Sequence, residues 1–220
     1  MTSRAIAAIE ALLREALAGP LPGPAAQRRF APTPALEGWR PDLRPETARV
    51  AAALLLVHPG PDGPTVPLTV RRTDLPHHPG QVSLPGGSLD PGETVEAAAL
   101  REAQEEIGIA PESVRLVGPL STVWIAVSNF IVHPIIGVTE ATPIFQPHPG
   151  EVDRLLEVPV SDIRDRGRLR WTRRTHDGVE LDYPYFDLGH QTVWGATAMI
   201  LGEFACLFDR DHAPRLRDEV

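Results

Sequence analysis

The sequence predicts an α/β fold, an α/β/α sandwich built around a mixed sheet. Three observations lead there. Residues 48–57, ARVAAALLLV, form a continuous apolar run of the kind that makes a strand buried on both faces. Residues 95–107 read as a helix with one small apolar face, and a second, strongly apolar helix closes the sequence from about residue 192 to 208. Further strand-like segments lie on both sides of the first of these helices, which places helices against the faces of a sheet.

Taken in order, residues 2–17 carry Ile6, Ile9, Leu12, Leu13 and Leu17 on one helical stripe. Such a helix packs on its own domain or on a second copy in a homodimer. Residues 18–45 are rich in proline and glycine and predict an extended connector. The strand at 48–57 turns through HPGPDG into a second strand at 65–72, and residues 73–86 read as a loop. Thr94 is a capping residue and Gly108 a left-handed terminator, so the helix between them should run from Val95 to Ile107. Strands follow near 114–123 and 131–138, then a loop with a helical segment at 151–156. A hairpin spans about 168–187, around a turn at 176–178, and the last helix has Trp194 near its start as a packing anchor. This divides the chain into a helix and connector (1–45), one catalytic-size domain (46–210) and a short tail (211–220).

Composition narrows the function. The net charge is −8, which argues against a nucleic-acid-binding surface. All 21 basic residues are arginine, so anion contacts by side chains fall to guanidinium forks suited to phosphate. No apolar run approaches the roughly 18 residues of a membrane span. The lone Cys206 excludes an internal disulfide, and its apolar surroundings read as a buried thiol. With no signal pattern at the N-terminus, the expected location is the cytoplasm.

The chemistry concentrates in residues 87–109, GSLDPGETVEAAALREAQEEIGI. On a helix from Val95 to Ile107, Glu102, Glu105 and Glu106 share one face. Three carboxylates held that closely repel, and a hard divalent cation reverses the sign of the interaction. Carboxylate oxygens suit Mg²⁺ or Mn²⁺, which also takes phosphate oxygens from a substrate.

This segment resembles the Nudix box, G-x5-E-x7-R-E-U-x-E-E-x-G-U, where U is a bulky aliphatic. It is matched by Gly87, Glu93, Arg101, Glu102, Glu105, Glu106, Gly108 and Ile109, with Ala103 small where the family has a larger residue. The resemblance implies the Nudix fold and hydrolysis of a nucleoside diphosphate derivative. It assigns Glu102, Glu105 and Glu106 as ligands of Mg²⁺ or Mn²⁺, joined by the Gly87 carbonyl. Arg101 would orient these carboxylates while pairing with Glu93, and Glu151 resembles the family's acidic residue outside the box, a further ligand or the general base.

Upstream, PLTVRRTDLPHHPGQVSLPGG (67–87) resembles the extra signature of the family's coenzyme A diphosphatases. Arg71, His78 and Gln81 match it and are expected to bind substrate. VWGATAMIL (193–201) and GEVDRLLEVPVSDI (150–163) are similar to two other segments of that subgroup. The signature departs at Pro67, Arg72, Pro76 and Leu84. Pro76 replaces an arginine, and Arg72, four residues earlier, is the candidate to take over its phosphate contact. Leu84 stands where a phenylalanine could stack a base. These departures keep ADP-ribose or NADH open as the substrate, and a sensing module that binds a nucleotide without cleaving it is the reading from outside enzymes.

Overall fold

The computed structural model of the protein describes residues 2–35, 38–76, 78–176 and 178–210. The 211–220 tail and residue 177 of the hairpin turn lie outside the described residues. Helix α1 (Thr2–Ala18) is followed by α2 (Gly23–Arg28), β1 (Arg49–Gly60), β2 (Gly63–Arg71), β3 (Val82–Ser83), β4 (Gly86–Ser88) and α3 (Val95–Ile107). Then come β5 (Arg115–Pro119), β6 (Val123–Ile125), β7 (Phe130–Val138), β8 (Val152–Pro159), α4 (Val160–Arg164), β9 (Leu169–His176), β10 (Val179–Leu188), β11 (Gln191–Val193) and α5 (Gly195–Cys206).

Eight strands form one mixed sheet, ordered β3-β2-β1-β7-β5, and β9–β11 form a separate antiparallel sheet. β1 runs parallel to β7 from Arg49 to Val57, and every residue from Ala51 to Gly60 is buried. The other edge of β1 is shared. Its last residues pair with β2 through His58 and Thr65, whereas Ala51–Ala53 pair with β4. β2 meanwhile pairs at its far end with β3, through Thr69 and Ser83. β1 and β2 therefore splay apart beyond the hairpin, and residues 82–88 cross the gap from one strand to the other. That crossing delivers Gly86 and Gly87 to the mouth of the split.

Helix α3 covers one face of the sheet. Ala98, Ala99, Ala103 and Ile107 are fully buried and cluster with Leu54, Leu56 and Ile135. Small residues let the helix axis approach the sheet closely, and Ala103 belongs to that contact. On the opposite face α1, α4 and α5 share a larger core with Leu55, Val57, Leu68, Ile136 and Phe204. Within α1, Ile6, Ile9 and Leu13 face this core, so the helix packs on its own domain, and Leu12 stays largely exposed.

Four expectations are corrected. Residues 18–45 are not merely an extended connector. They contain α2, with Pro24 in its first turn, where a missing N–H costs little. Gln27 of α2 donates at 2.9 Å to the buried Glu203, and Phe30 stacks on Phe186 at 5.1 Å. Residues 152–156 are strand and not helix, with Glu151 in the turn before them, because the free edge of β2 from Thr65 to Arg71 offers β8 a full ladder. The 73–86 loop ends in two short strands, and the single strand expected at 114–123 is β5 and β6, both pairing with β7. Trp194 sits just before α5, edge-on to Tyr183 at 5.2 Å, with the Arg174 guanidinium over its ring at 4.4 Å.

Candidate active site

Helix α3 starts and stops as its caps dictate. The Thr94 hydroxyl accepts from the Ala97 N–H at 3.2 Å, and Gly108 ends the helix at φ 74°. Between these ends, the face turned from the sheet presents Arg101, Glu102 and Glu105, and Glu106 lies at its margin, buried.

Arg101 organises this face. Its Nε and Nη2 donate to the two oxygens of Glu93, each at 3.0 Å, a bidentate fork across the loop–helix junction. Nη1 reaches Glu102 Oε1 at 2.9 Å and Glu105 Oε2 at 3.3 Å, and Nη2 also donates to the Ser88 carbonyl. Glu93 further accepts from the Asp90 N–H at 3.0 Å. The Arg101 fork and that N–H hold the Glu93 carboxyl below its usual range. Glu93 in turn stabilises the charge on Arg101.

The Glu102 carboxylate lies against the backbone of Gly87. A Cβ on Gly87 would stand 2.5 and 2.6 Å from its two oxygens, so only glycine leaves room for it. Burial raises the Glu102 carboxyl, against the Arg101 contact, and the charges of Glu105 and Glu151 raise it further. Glu106 is 4% exposed, and its Oε2 is buried without a hydrogen-bond partner. Desolvation pushes its carboxyl up to about 8, helped by the charges of Glu151 and Glu102 and opposed by Arg71. The Arg71 Nη1 stands 3.9 Å from Glu106 Oε1.

Glu151 reaches this cluster from the turn before β8. The His148 N–H donates to the Glu106 carbonyl at 2.8 Å, and the Gln146 N–H to the Ile107 carbonyl at 2.9 Å. The 146–151 segment thus uses the unpaired carbonyls at the end of α3 as its anchor. The structure brings together Gly87, Glu93, Arg101, Glu102, Glu105, Glu106, Glu151 and Arg71. His78 and Gln81 lie in the loop entering β3, joined by a 3.2 Å contact between His78 Nδ1 and Gln81 Oε1. The Gln81 carbonyl accepts from the Arg71 N–H at 2.9 Å.

Two of the residues that depart from the upstream signature take definite places in this geometry. Arg72 is not a free guanidinium awaiting a phosphate, because Asp74 and the Pro149 carbonyl hold it at 2.6–2.9 Å. Leu84 is 5% exposed and part of the core, so the residue at this position packs and offers no platform to a base. One contributor escaped the sequence reading. The Thr197 hydroxyl of α5 donates at 3.0 Å to the Val82 carbonyl, buttressing the strand that follows Gln81. Its signal was the VWGATAMIL segment, whose partner was not visible in one dimension.

The donor set suits a hard cation. It is all oxygen, Glu106 Oε2 is buried and unpartnered, and Glu102 occupies a cradle that a side chain at residue 87 would fill. Among the described residues no three ligand-type side chains already form a metal cage. Arg101 explains this, since it draws Glu102 and Glu105 to itself while Arg71 faces Glu106. Among the described residues no helix is long and apolar enough to cross a membrane.

A family model for the NUDIX domain matches residues 47–176. The uncharacterized Nudix hydrolase NudL of Pectobacterium atrosepticum is 35% identical over 185 residues, covering 75% of this chain and 86% of the relative. NudL of Citrobacter koseri is 36% identical over 170 residues, covering 76% and 87%. Among solved structures, a MutT/nudix family protein from Enterococcus faecalis superposes with a TM-score of 0.50 at 16% identity, over 79% of this chain and 67% of that protein, a likeness of fold alone. Nudix hydrolases in general use divalent metal ions. Relatives of this coverage carry the assignment that the box geometry already suggests: the chain belongs to the Nudix family and is a diphosphate hydrolase acting on nucleoside diphosphate derivatives.

Proposed function

We propose that this enzyme hydrolyses coenzyme A and its derivatives to adenosine 3′,5′-bisphosphate and 4′-phosphopantetheine. The observation that carries the reading is the Thr197–Val82 bond. Two segments that separately resemble the coenzyme A diphosphatases, 115 residues apart, meet there beside the box. The loop between β2 and β3 that holds His78 and Gln81 is pinned at both ends of that contact, by Arg71 to Gln81 and by Thr69 Oγ1 to Ser83 Oγ at 3.0 Å.

Glu102, Glu105, Glu106 and Glu151, with the Gly87 carbonyl, would hold Mg²⁺ or Mn²⁺. Bound there, the cation neutralises charge on the diphosphate oxygens and makes water a better nucleophile. Arg101, fixed by Glu93, holds Glu102 and Glu105 in orientation. Arg71 faces the buried Glu106 and offers its remaining donors to the diphosphate, with His78 and Gln81 further along the loop. Water attacks one phosphorus, the bridging P–O bond breaks, and Glu151 is placed either to accept the water's proton or to complete the ligand set.

A second reading, hydrolysis of ADP-ribose or NADH, is favoured by one observation. Pro76 lacks the guanidinium of the subgroup signature, and Arg72 is already engaged by Asp74. A panel of coenzyme A, an acyl-coenzyme A, ADP-ribose and NADH, scored by product mass with Mg²⁺ and with Mn²⁺, separates the two. Coenzyme A should give the highest kcat/KM and the two named products. Faster cleavage of ADP-ribose or NADH would replace the reading, and no turnover across the panel would place the substrate elsewhere among nucleoside diphosphate derivatives.

A further inference from the structure

We propose that Arg72 is a positioning residue for Glu151. The inference rests on the reading of Glu151 as ligand or base.

Every polar atom of Arg72 has a partner, and three of its five guanidinium N–H groups are engaged. Nε and Nη2 fork onto the Asp74 carboxylate at 2.9 and 2.6 Å. Nη1 donates to the Pro149 carbonyl at 2.9 Å, and the main-chain N–H donates to the Glu151 carbonyl at 3.0 Å. The Arg72 carbonyl accepts from the Gly80 N–H at 3.3 Å. The side chain therefore ties two loops together: the 73–81 loop through Asp74 and the 149–151 turn through Pro149. Directly before it, the β2–β8 ladder shifts register between Val70 and Arg71, the kind of irregularity that re-aims side chains at the end of a strand.

The far side of the 146–151 segment is anchored on the end of α3 by Gln146 and His148. Arg72 is the anchor on the near side. Between them, the His148 carbonyl accepts from both Glu151 and Val152, at 3.1 and 2.9 Å, forming the turn from which Glu151 extends. Asp74 gives the guanidinium its direction. Charge at Arg72 alone would not do this, because a fork and a third donor must be satisfied at once, and a lysine ammonium cannot reproduce that planar geometry. Since Arg72 and Asp74 are largely exposed, their pairing adds little to folding stability, and its effect should appear in turnover.

The test is a double-mutant cycle on the full chain with Mn²⁺, using coenzyme A, dephospho-coenzyme A and ADP-ribose as substrates. Arg72→Ala should lower kcat by about three- to tenfold on whichever of these are cleaved, with KM and melting temperature little changed, because misplacement of one group costs rate more than binding. Arg72→Lys should stay closer to Arg72→Ala than to the parent. In a Glu151→Gln background, Arg72→Ala should have almost no further effect. A rise in KM confined to coenzyme A would make Arg72 a reader of the 3′-phosphate and overturn the proposal. Additive losses in the Glu151→Gln background, or full recovery with Arg72→Lys, would also overturn it. If Glu151→Gln itself is silent, the reading of Glu151 fails first, and that outcome is distinct from a silent Arg72→Ala beside a crippled Glu151→Gln.

Discussion

Glu106 concentrates the conflict that a cation would resolve. Its carboxylate is buried, its Oε2 has no partner, and its neighbours Glu151 and Glu102 repel the charged form. A carboxyl whose pKa rises from the ordinary 4.5 to about 8 on folding contributes stability that is fully present below 4.5 and is lost as pH climbs through 8. In chelator, Glu106→Gln should therefore melt above the parent at pH 8, and the gap should shrink toward pH 5. Thermal melts of both proteins at several pH values test this, and a gap that does not change with pH would mean that Glu106 does not titrate in this window. The same substitution should reduce turnover by orders of magnitude, since it removes a charged oxygen from the proposed ligand set. Gly87→Ala belongs beside it. The added Cβ meets the end of the flexible Glu102 side chain, not backbone, so the fold should survive while the carboxylate is displaced. Circular dichroism unchanged with activity lost is the expected pair of results.

At the scale of elements, the site depends on parts far apart in sequence that hold one another in register. Residues 82–88 bridge the split between β2 and β1, and α5 supports that bridge through Thr197. Thr197→Val keeps the shape but leaves the Val82 carbonyl without its donor, which should cost about 1–3 kcal/mol of stability. Because β3 follows Gln81, KM should rise more than kcat falls. Chemical denaturation and steady-state kinetics on one variant check both, and a pure kcat defect would place the disturbance at the carboxylates instead. The limits of α3 were legible from the sequence, since Thr94, Gly108 and the alanine face act within the helix. Strand β8 was not, because nothing in VDRLLEVP separates strand from helix until the open edge of β2 is known to lie beside it. Helix α2 was equally hidden, as its anchors Glu203 and Phe186 lie more than 150 residues away.

For the whole molecule, the arginine-only basic complement and the acidic balance meet at one place. Arg101 and Arg71 face the carboxylate cluster, and a divalent cation would have to displace part of that pairing. If it binds the folded cluster alone, Mn²⁺ at about 100 times its Kd should stabilise the protein by about 2.7 kcal/mol. Calorimetry in Mn²⁺ and in chelator measures this, with Glu106→Gln expected to lose most of the shift. An unchanged melting temperature at millimolar Mg²⁺ and Mn²⁺ would argue against the site. The sequence by itself determined the carboxylate helix, its caps and its glycine approach, because capping, periodicity and spacing are local properties of Gly87 to Ile109. It also determined the family, since those residues are the family's pattern. Only the tertiary structure decided that Glu151 joins the cluster, that Arg72 is spent on Asp74 and Pro149, and that Leu84 is core. Each of those outcomes rests on contacts between loops and strands that fold onto one another, and no spacing along the chain encodes which partner a guanidinium will find.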